Sequence, residues 1–545
     1  MPDRELKTEE TQVLIVGGGL TGLTAAALLA ERQVRTVVVE RHAASSLHPR
    51  AIGFMQRTME IFRLLRVAHE IPSAAGHSRP RRVRVESLAG KWFDEQEWTP
   101  TKDGEATKPA PKPEPLEYSP EHMAGRAQDF VEPVLRFRAR ELGADIRMST
   151  TLTAVEQDQD AVTATLSGPH GEEYQIRADY AIAADGHRSP VREALGIDRD
   201  GRGDLRIVRS VLFRAPLEEY LERGFHQFSI ENPEFPMFLT TYGDGRWLLM
   251  FMDDVERSID EMRDAAILAI GRSDIDPEII TSGRWELSAS IATKFSSGRI
   301  FLAGDAAHTL PPNRGGYGAN TGIADAHNLA WKLEAVLDGV SQPSLLETYH
   351  DERRPVAWER HQQIFVRPDH GGMMGPKAAE ASGVPILDDA AVEFGQLVRS
   401  TAVIGAGEDL PVALTPDKWA GQPGTRAPHA WVTVDGKRAS TIDVITRQWA
   451  VFADEADDEG LWHRAAAEAS RQLGIDVICL GVGCEVQTDD RESLIAAFGL
   501  EPGGASLVRP DGYVAWRSAT APADVAQALT NALAQVSSSV KRTQT

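Results

Sequence analysis

The chain has 545 residues, 42% of them apolar and 25% charged, a balance that excludes a disordered or fibrous protein and allows roughly two to four domains with a large core. Its formal charge of −22 argues against nucleic acid and anionic membrane surfaces as partners, since both would repel it at long range, and leaves a small molecule as the expected partner of a monomer or homodimer. Two cysteines, Cys479 and Cys484, exclude a disulfide framework and fit a reducing, cytoplasmic setting.

Residues 12–42 read strand, glycine-rich turn, helix, strand: QVLIVGGG, then LTGLTAAALLAERQ, then RTVVVER. The apolar window 13–30 is nearly long enough for a membrane span, but three consecutive glycines interrupt it and the acidic RELKTEE precedes it. Residues 93–122 are rich in Pro, Glu and Lys, as in a long exposed loop. Strand-like runs dominate 147–184 and 207–295 and suggest an antiparallel sheet with short connections. A helix is expected over 320–338, where Ile323, Ala326, Ala330, Leu333 and Leu337 recur at spacings of three and four and Gly339 follows. Residues 366–420 are mixed and 421–432 read as a linker. Beyond them, strands near 440–453 and 474–481, a helix at 460–473 and a hairpin at 505–516 compose a small α/β unit.

Three stretches carry chemistry. Gly17, Gly19 and Gly22 follow a strand and open a helix, and Glu40 closes the next strand. Glycines there allow a tight turn and close approach of a pyrophosphate to helix amides, while the acid accepts from ribose hydroxyls. In AIAADGHRSPVREALGI at 181–197, Asp185-Gly186 ends an apolar strand; on the residues alone a purely structural strand stop and helix cap stands level with a binding role. In FLAGDAAHTLPPNRGGYGAN at 301–320, Gly304-Asp305 places a carboxylate at a strand's carboxyl edge. A glycine-rich loop then leads into a helix whose positive end, capped by Asn320 or Thr321, points into the enclosed space.

These three stretches, with HPRAIGFMQRTMEIFRLLRV at 48–67, AQDFVEPVLR at 127–136, TGIADAHNLAWKLEAVLDG at 321–339 and LLETYHDERRPVA at 345–357, resemble the group A flavoprotein monooxygenases of the p-hydroxybenzoate hydroxylase fold. The fold so implied is α/β. A Rossmann-like FAD-binding domain occupies 1–180 and 285–400 and holds parts of the middle sheet, and an inserted antiparallel-sheet substrate domain occupies 195–290. A thioredoxin-like C-terminal domain, as in bacterial aromatic polyketide hydroxylases, occupies 421–545. The resemblance implies that Gly17, Gly19, Leu20, Thr21, Gly22, Glu40 and Arg41 hold the ADP half of a non-covalent FAD. It sets Arg50, Arg126 and Gln128 near the flavin, Asp185-Gly186 at FAD and the nicotinamide cofactor, and Gly304-Asp305 at the ribityl chain. Pro312, Gly315, Gly316, Gly318, Ala319 and Asn320 fall beside the isoalloxazine. Asn313-Arg314 place two residues between the Pro pair and the Gly pair, where relatives usually have one.

The implied reaction is hydroxylation of a phenolic, polycyclic aromatic polyketide by O2 through a flavin C4a-hydroperoxide, with NAD(P)H as reductant and NADPH the expected form. Phe228, Met237, Phe238, Tyr242 and Met250 are candidate pocket walls, each equally suited to an ordinary core. No side chain is assigned the chemistry itself. Arg50, Tyr242 and His308 are the candidates, with His308 read first as a loop-ordering residue. No metal is expected. Baeyer–Villiger insertion or another oxidative rearrangement of a polyketide quinone is the alternative on the same frame. A halogenase is disfavoured by the lack of a Trp-x-Trp-x-Ile-Pro segment, and a non-enzymatic flavin-binding protein by the intact FAD frame. Cys479 and Cys484, with four residues between them and no strand-to-helix turn, do not form a thioredoxin redox motif.

Overall fold

The computed structural model describes residues 6–48, 51–72, 81–95, 116–231, 236–312, 316–367, 383–455 and 460–539. Near-continuous apolar runs such as Val13–Val16 and Val37–Val39 are buried on both faces, which is the environment of a parallel sheet. Thr8–Val16 pairs in parallel with Thr36–Glu40 on one side and Glu173–Ala183 on the other. Asp145–Met148 and Ile300–Leu302 extend the sheet on its two sides, again in parallel, and Ser296–Ser297 adds an antiparallel edge beyond the second. The helix Leu20–Glu31, all small and aliphatic side chains along its buried length, packs against Gln128–Glu141 and Tyr317–Leu337.

Strands within 147–184 join this first sheet rather than the middle one. Thr151–Gln157, Val162–Ser167 and Glu173–Ala183 form an antiparallel meander, and the last of these also pairs in parallel with Thr8–Val16 along nearly its whole length. The second sheet runs, edge to edge, His308–Thr309, Glu278–Ala292, Arg199–Arg214, Arg246–Phe251, Met237–Thr241, Phe225–Ile230, Arg81–Val85 and Trp92–Glu95. It therefore reaches beyond 195–290 at both ends. It is also mixed, because Arg81–Val85 pairs in parallel with Phe225–Ile230. Val83 and Val85 fill the core side there while Arg84 stays outside against Glu231 and Asp94; a partner more than a hundred residues away leaves no local trace in that alternation.

Strand alternation sorts the second sheet into two faces. Phe228, Met237, Leu239, Trp247, Leu249 and Phe251 pack against the helix Ile259–Ile270. Phe238, Tyr242, Leu248 and Met250 face the other way, toward Met55, Leu310 and Tyr317.

In the C-terminal unit, the strands are ordered Val477–Val482, Trp449–Asp454, Ala505–Val508, Val514–Ser518, the first pair parallel and the others antiparallel. Helices Leu461–Leu473 and Val525–Val536 cover one face, where Trp331 and Leu345 of the first unit complete the core. The run expected as a strand near 440–453 is a strand Lys437–Ser440, a short helix Thr441–Ile445 and a strand Trp449–Asp454. Residues expected as a linker at 421–432 are largely buried: Arg426 is paired with Glu60, both side chains at most 2% exposed. Nearby, Glu352 receives Arg509 Nη1 at 2.7 Å and Lys332 Nζ at 3.0 Å, and Arg509 also binds Asp511. Burial alone would push the Glu352 carboxyl up, but Arg509 and Lys332 outweigh it and hold it below the usual carboxylate range. No helix among the described residues is long and apolar enough to cross a membrane.

Candidate active site

A cleft of about 1000 Å³ runs along the carboxyl ends of the parallel strands and on beneath the second sheet. Carboxyl strand ends in an open α/β sheet are where helix N-termini collect, and so where anions are held. At one end of the cleft lie Gly17, Gly18, Gly19, Leu20, Thr21, Glu40 and Arg41; at the other, Trp285, Leu287, Thr309, Leu310, Pro312, Gly316, Tyr317, Gly318 and Ala319.

The first end is built by what glycine leaves out. Gly17 has φ +108°, and a Cβ on it would stand 2.2 Å from the Ala184 carbonyl oxygen; one on Gly22 would stand 1.9 Å from the Gly17 carbonyl oxygen. Gly19 begins the helix Leu20–Glu31 with no side-chain cap, so the first amides remain open to the cleft. Glu40 Oε2 accepts from the Gly18 amide at 2.7 Å and its Oε1 from the His42 amide at 2.9 Å, which fixes the carboxylate at the rim. A phosphate-sized cradle beside a carboxylate at ribose distance fits the ADP half of FAD.

At the second end, Gly316 has φ +61° and starts the helix Tyr317–Leu337, again without a side-chain cap. Asp305 lines the cleft between the two helix ends. Behind it, Asp325 accepts from the Gly304 amide at 3.2 Å, from Arg353 Nε at 2.8 Å, and meets His308 Nε2 at 2.7 Å, all buried. Burial alone would raise the Asp325 carboxyl, but the His308 and Arg353 charges more than offset it. His308 thus braces the loop from behind and stands outside the cleft lining. Asn320 is a second brace rather than a cleft residue: its Nδ2 donates to the Gly53 and Gly316 carbonyls, and its Oδ1 accepts from the Met55 amide and the Thr58 hydroxyl.

Asp185 lines the cleft while its carboxylate accepts from the Ser189 hydroxyl at 2.6 Å and the Val191 amide at 3.0 Å. Burial pushes its carboxyl up, and these two donors hold it down in part. Both sequence readings therefore apply, since the residue caps a helix and borders the cleft. Arg192 ties this segment to the turn Gly304–Ala306 by donating to the Ala306 carbonyl at 3.2 Å.

Of the other expected residues, Gln128 and Gly186 line the cleft. Gly22 and Gly304 pack beneath it, a Cβ on Gly304 falling 2.5 Å from Thr21 Oγ1. Arg126 lies outside the lining, its Nη1 donating to the Gly125 carbonyl at 3.4 Å. Arg50, Asn313, Arg314 and Gly315 lie outside the described residues. Among the expected pocket walls, Phe238, Tyr242 and Met250 face the cofactor side, whereas Phe228 and Met237 face the helix Ile259–Ile270 and cannot be walls.

Residues not foreseen include Glu132 and Arg136, which with Gln128 form a stripe at i, i+4, i+8 on one face of the helix Gln128–Glu141. That spacing was visible in QDFVEPVLR. Gln128 Nε2 donates to Glu132 Oε1 at 2.6 Å, and burial pushes the Glu132 carboxyl up. His48 and Trp285 were also missed: His48 Nε2 meets Ser210 Oγ at 2.8 Å and its ring packs edge-on to Trp285, and these three come from distant segments with no shared motif.

Comparison with known proteins agrees with this geometry. Residues 10–363 match the FAD binding domain family, and residues 420–538 match the family described as aromatic-ring hydroxylase, C-terminal. Tetracenomycin A2 monooxygenase-dioxygenase of Streptomyces glaucescens is 37% identical over 97% of each chain. Aklavinone 12-hydroxylase of Streptomyces purpurascens is 37% identical over 97% of this chain and 99% of its own. The crystal structure of aklavinone-11 hydroxylase with FAD and aklavinone superposes with a TM-score of 0.85 at 35% identity, covering 98% of this chain and 100% of that one. With the FAD family matched over 10–363 and relatives matched nearly end to end, the chain belongs to the group A FAD-dependent aromatic monooxygenases of the p-hydroxybenzoate hydroxylase fold.

Proposed function

We propose that the chain hydroxylates a polycyclic phenolic substrate of the aromatic polyketide class, using NAD(P)H and O2. The observation that carries this reading is the buried apolar cluster in which Phe238, Tyr242, Leu248 and Met250 of the second sheet back Leu287, Leu310 and Tyr317, and the last three line the cleft at the open N-terminus of the helix Tyr317–Leu337. An apolar wall of this kind, set against a helix N-terminus, suits a fused-ring ligand beside the redox end of a bound flavin. The relatives named for aklavinone and tetracenomycin point to the same class.

When bound, FAD supplies two-electron reduction by the nicotinamide and delivery of one oxygen atom from O2. The chain's own part begins with binding: Glu40 and the Gly17–Leu20 turn hold one end, and Asp305 with the loop at Gly316–Ala319 holds the other. The amides at the start of Tyr317–Leu337 place partial positive charge where negative charge gathers on reduction, without a side chain that could itself react. The apolar wall excludes water from the reacting carbon. His48 lines the cleft, and we assign its ring, oriented by the 2.8 Å contact between Nε2 and Ser210 Oγ, as the acceptor of the proton leaving a substrate hydroxyl.

A screen of phenols of increasing ring number, followed by NAD(P)H consumption and product mass, tests the proposal. The expected result is one added oxygen with all rings retained. Ring expansion or cleavage would replace it with the oxidative-rearrangement reading, an outcome to which a relative named monooxygenase-dioxygenase gives weight.

A further inference from the structure

The C-terminal unit carries a cluster that the flavin chemistry does not use. Glu455 follows the strand Trp449–Asp454, and the helix Leu461–Leu473 begins a few residues on. Glu455 Oε1 accepts from the backbone amides of Trp462 at 2.5 Å and His463 at 3.2 Å, so one carboxylate oxygen is committed to the helix end. Its other oxygen, Oε2, is turned to His463 Nδ1. The opposite ring nitrogen, His463 Nε2, meets Glu485 Oε1 at 3.0 Å, and Glu485 Oε2 in turn accepts from the Gly481 amide at 2.9 Å. Cys479, on the parallel neighbouring strand, completes the group: one ligand atom from each of Glu455, His463 and Cys479 lies within 4.8 Å of the others.

We propose that Glu455, His463 and Cys479 form a binding site for a zinc-class divalent cation, with the fourth position open to water. The donor set is the first reason. A sulfur, an imidazole nitrogen and a carboxylate oxygen match zinc and its neighbours, and the sulfur is a poor ligand for calcium or magnesium. The outer arrangement is the second. Zinc-bound imidazoles as a rule give their other N–H to a carboxylate, and Glu485, itself anchored by the Gly481 amide, stands where that carboxylate belongs. Glu455 is likewise preoriented by two backbone amides and is 2% exposed, so little ordering remains when a cation arrives. Drawing the three atoms to zinc bond lengths near 2.0–2.3 Å needs side-chain movement on the order of 1 Å. Binding expels the thiol proton to solvent and leaves the His463 proton on Nε2, toward Glu485. The cation would clasp the start of Leu461–Leu473 to the strand Val477–Val482.

The test uses the full-length, FAD-loaded protein, stripped with a chelator, incubated with zinc chloride and desalted. About one zinc per chain is expected by elemental mass spectrometry. Cys479→Ser and His463→Ala should each lower the retained zinc at least tenfold, and Glu485→Gln should weaken retention roughly 10–100-fold. Flavin content, unchanged across the series, reports folding independently. Cobalt(II) gives a second readout in the wild type, whose ligand-field bands lie to the red of flavin absorption and should vanish in Cys479→Ser. No zinc retained by the wild type, or equal zinc in the wild type and Cys479→Ser, would overturn the proposal and leave a carboxylate–imidazole–carboxylate clasp that needs no metal.

Discussion

The helix starts at Gly17–Leu20 and at Gly460–Trp462 are the same device with opposite outcomes. Each follows a strand, Thr8–Val16 or Trp449–Asp454, and the residue that begins each helix, Gly19 or Gly460, supplies no side-chain cap. At the first turn glycines keep side chains away and the helix amides face an open cleft. At the second, the chain's own Glu455 carboxylate takes the amides of Trp462 and His463. A helix N-terminus is an anion site in either case. Whether it receives a cofactor or a side chain depends on whether a nearby acid can reach it. Glu40 stays at the rim, where its two oxygens accept from the amides of Gly18 and His42.

The largest effect should come from closing the first turn. Gly17→Ala puts a Cβ 2.2 Å from a backbone oxygen at φ +108°, and we expect flavin content to drop more than about 100-fold, a loss that backbone displacement of this kind readily produces. Glu455→Gln, at the second turn, should leave flavin content as it is. Equal flavin loss in both variants would break the comparison. Next in size is Asp305→Ala, which removes an acceptor from the cleft between the two open helix ends. A charged hydrogen bond is worth about 1.5–3 kcal/mol, so FAD affinity should fall roughly 10–100-fold. Unchanged affinity would remove Asp305 from the cofactor site.

The first turn was legible in the sequence because its logic is local: Gly17, Gly19, Gly22 and Glu40 all lie within one βαβ unit. So was the helix entered at Gly316, whose apolar spacing predicted 320–338 against the observed Tyr317–Leu337. What depended on pairing was hidden. Phe228 and Met237 look no different from Phe238 and Met250 until strand register assigns them a face, and a one-residue shift reverses that assignment. Asn320 reads as a helix cap yet works as a brace, since Gly53, Met55 and Thr58 reach it from far along the chain. The second turn was hidden for the same reason. Glu455, His463, Cys479 and Glu485 become a cluster only when the strand Val477–Val482 lies beside Trp449–Asp454.

The two turns belong to units joined by buried charge, and pH probes that joint. His327, 6% exposed, lies beside Arg57, Glu60 and Asp511; burial, aided by Arg57 and Arg32, lowers its imidazole to about 3 against the pull of Asp511 and Glu60. The ring is neutral in the fold, while in the unfolded chain it titrates near 6.5. The unfolded chain then binds more protons between these values. Its contribution to stability is complete above pH 6.5 and is lost as pH falls toward 3, by on the order of 1 kcal/mol per pH unit. Denaturant midpoints at about pH 7.5 and about pH 5 should show this fall in the wild type and a flatter dependence in His327→Asn. An unchanged slope in the variant would mean that His327 is not the group responsible.

The smallest effect concerns the second open helix end and its ability to move. A reduced flavin that meets O2 before substrate wastes NAD(P)H, so reduction should wait for an aromatic ligand. Gly316 starts the helix Tyr317–Leu337: at φ +61° it occupies a conformation that side chains resist, and a Cβ there would stand 3.2 Å from the Gly53 carbonyl oxygen. We expect NAD(P)H oxidation to accelerate several-fold on adding a true phenolic substrate, equivalent to about 1 kcal/mol in barrier terms. Gly316→Val should blunt that acceleration more than it weakens FAD binding, because the Gly17–Leu20 turn and Glu40 lie at the far end of the cleft and keep their contacts. Stopped-flow reduction with and without substrate separates the two effects. Equal reduction rates in the wild type would end the gating idea while leaving hydroxylation intact, and equal loss of binding and acceleration in Gly316→Val would make this helix end an anchor like the first one rather than a moving part.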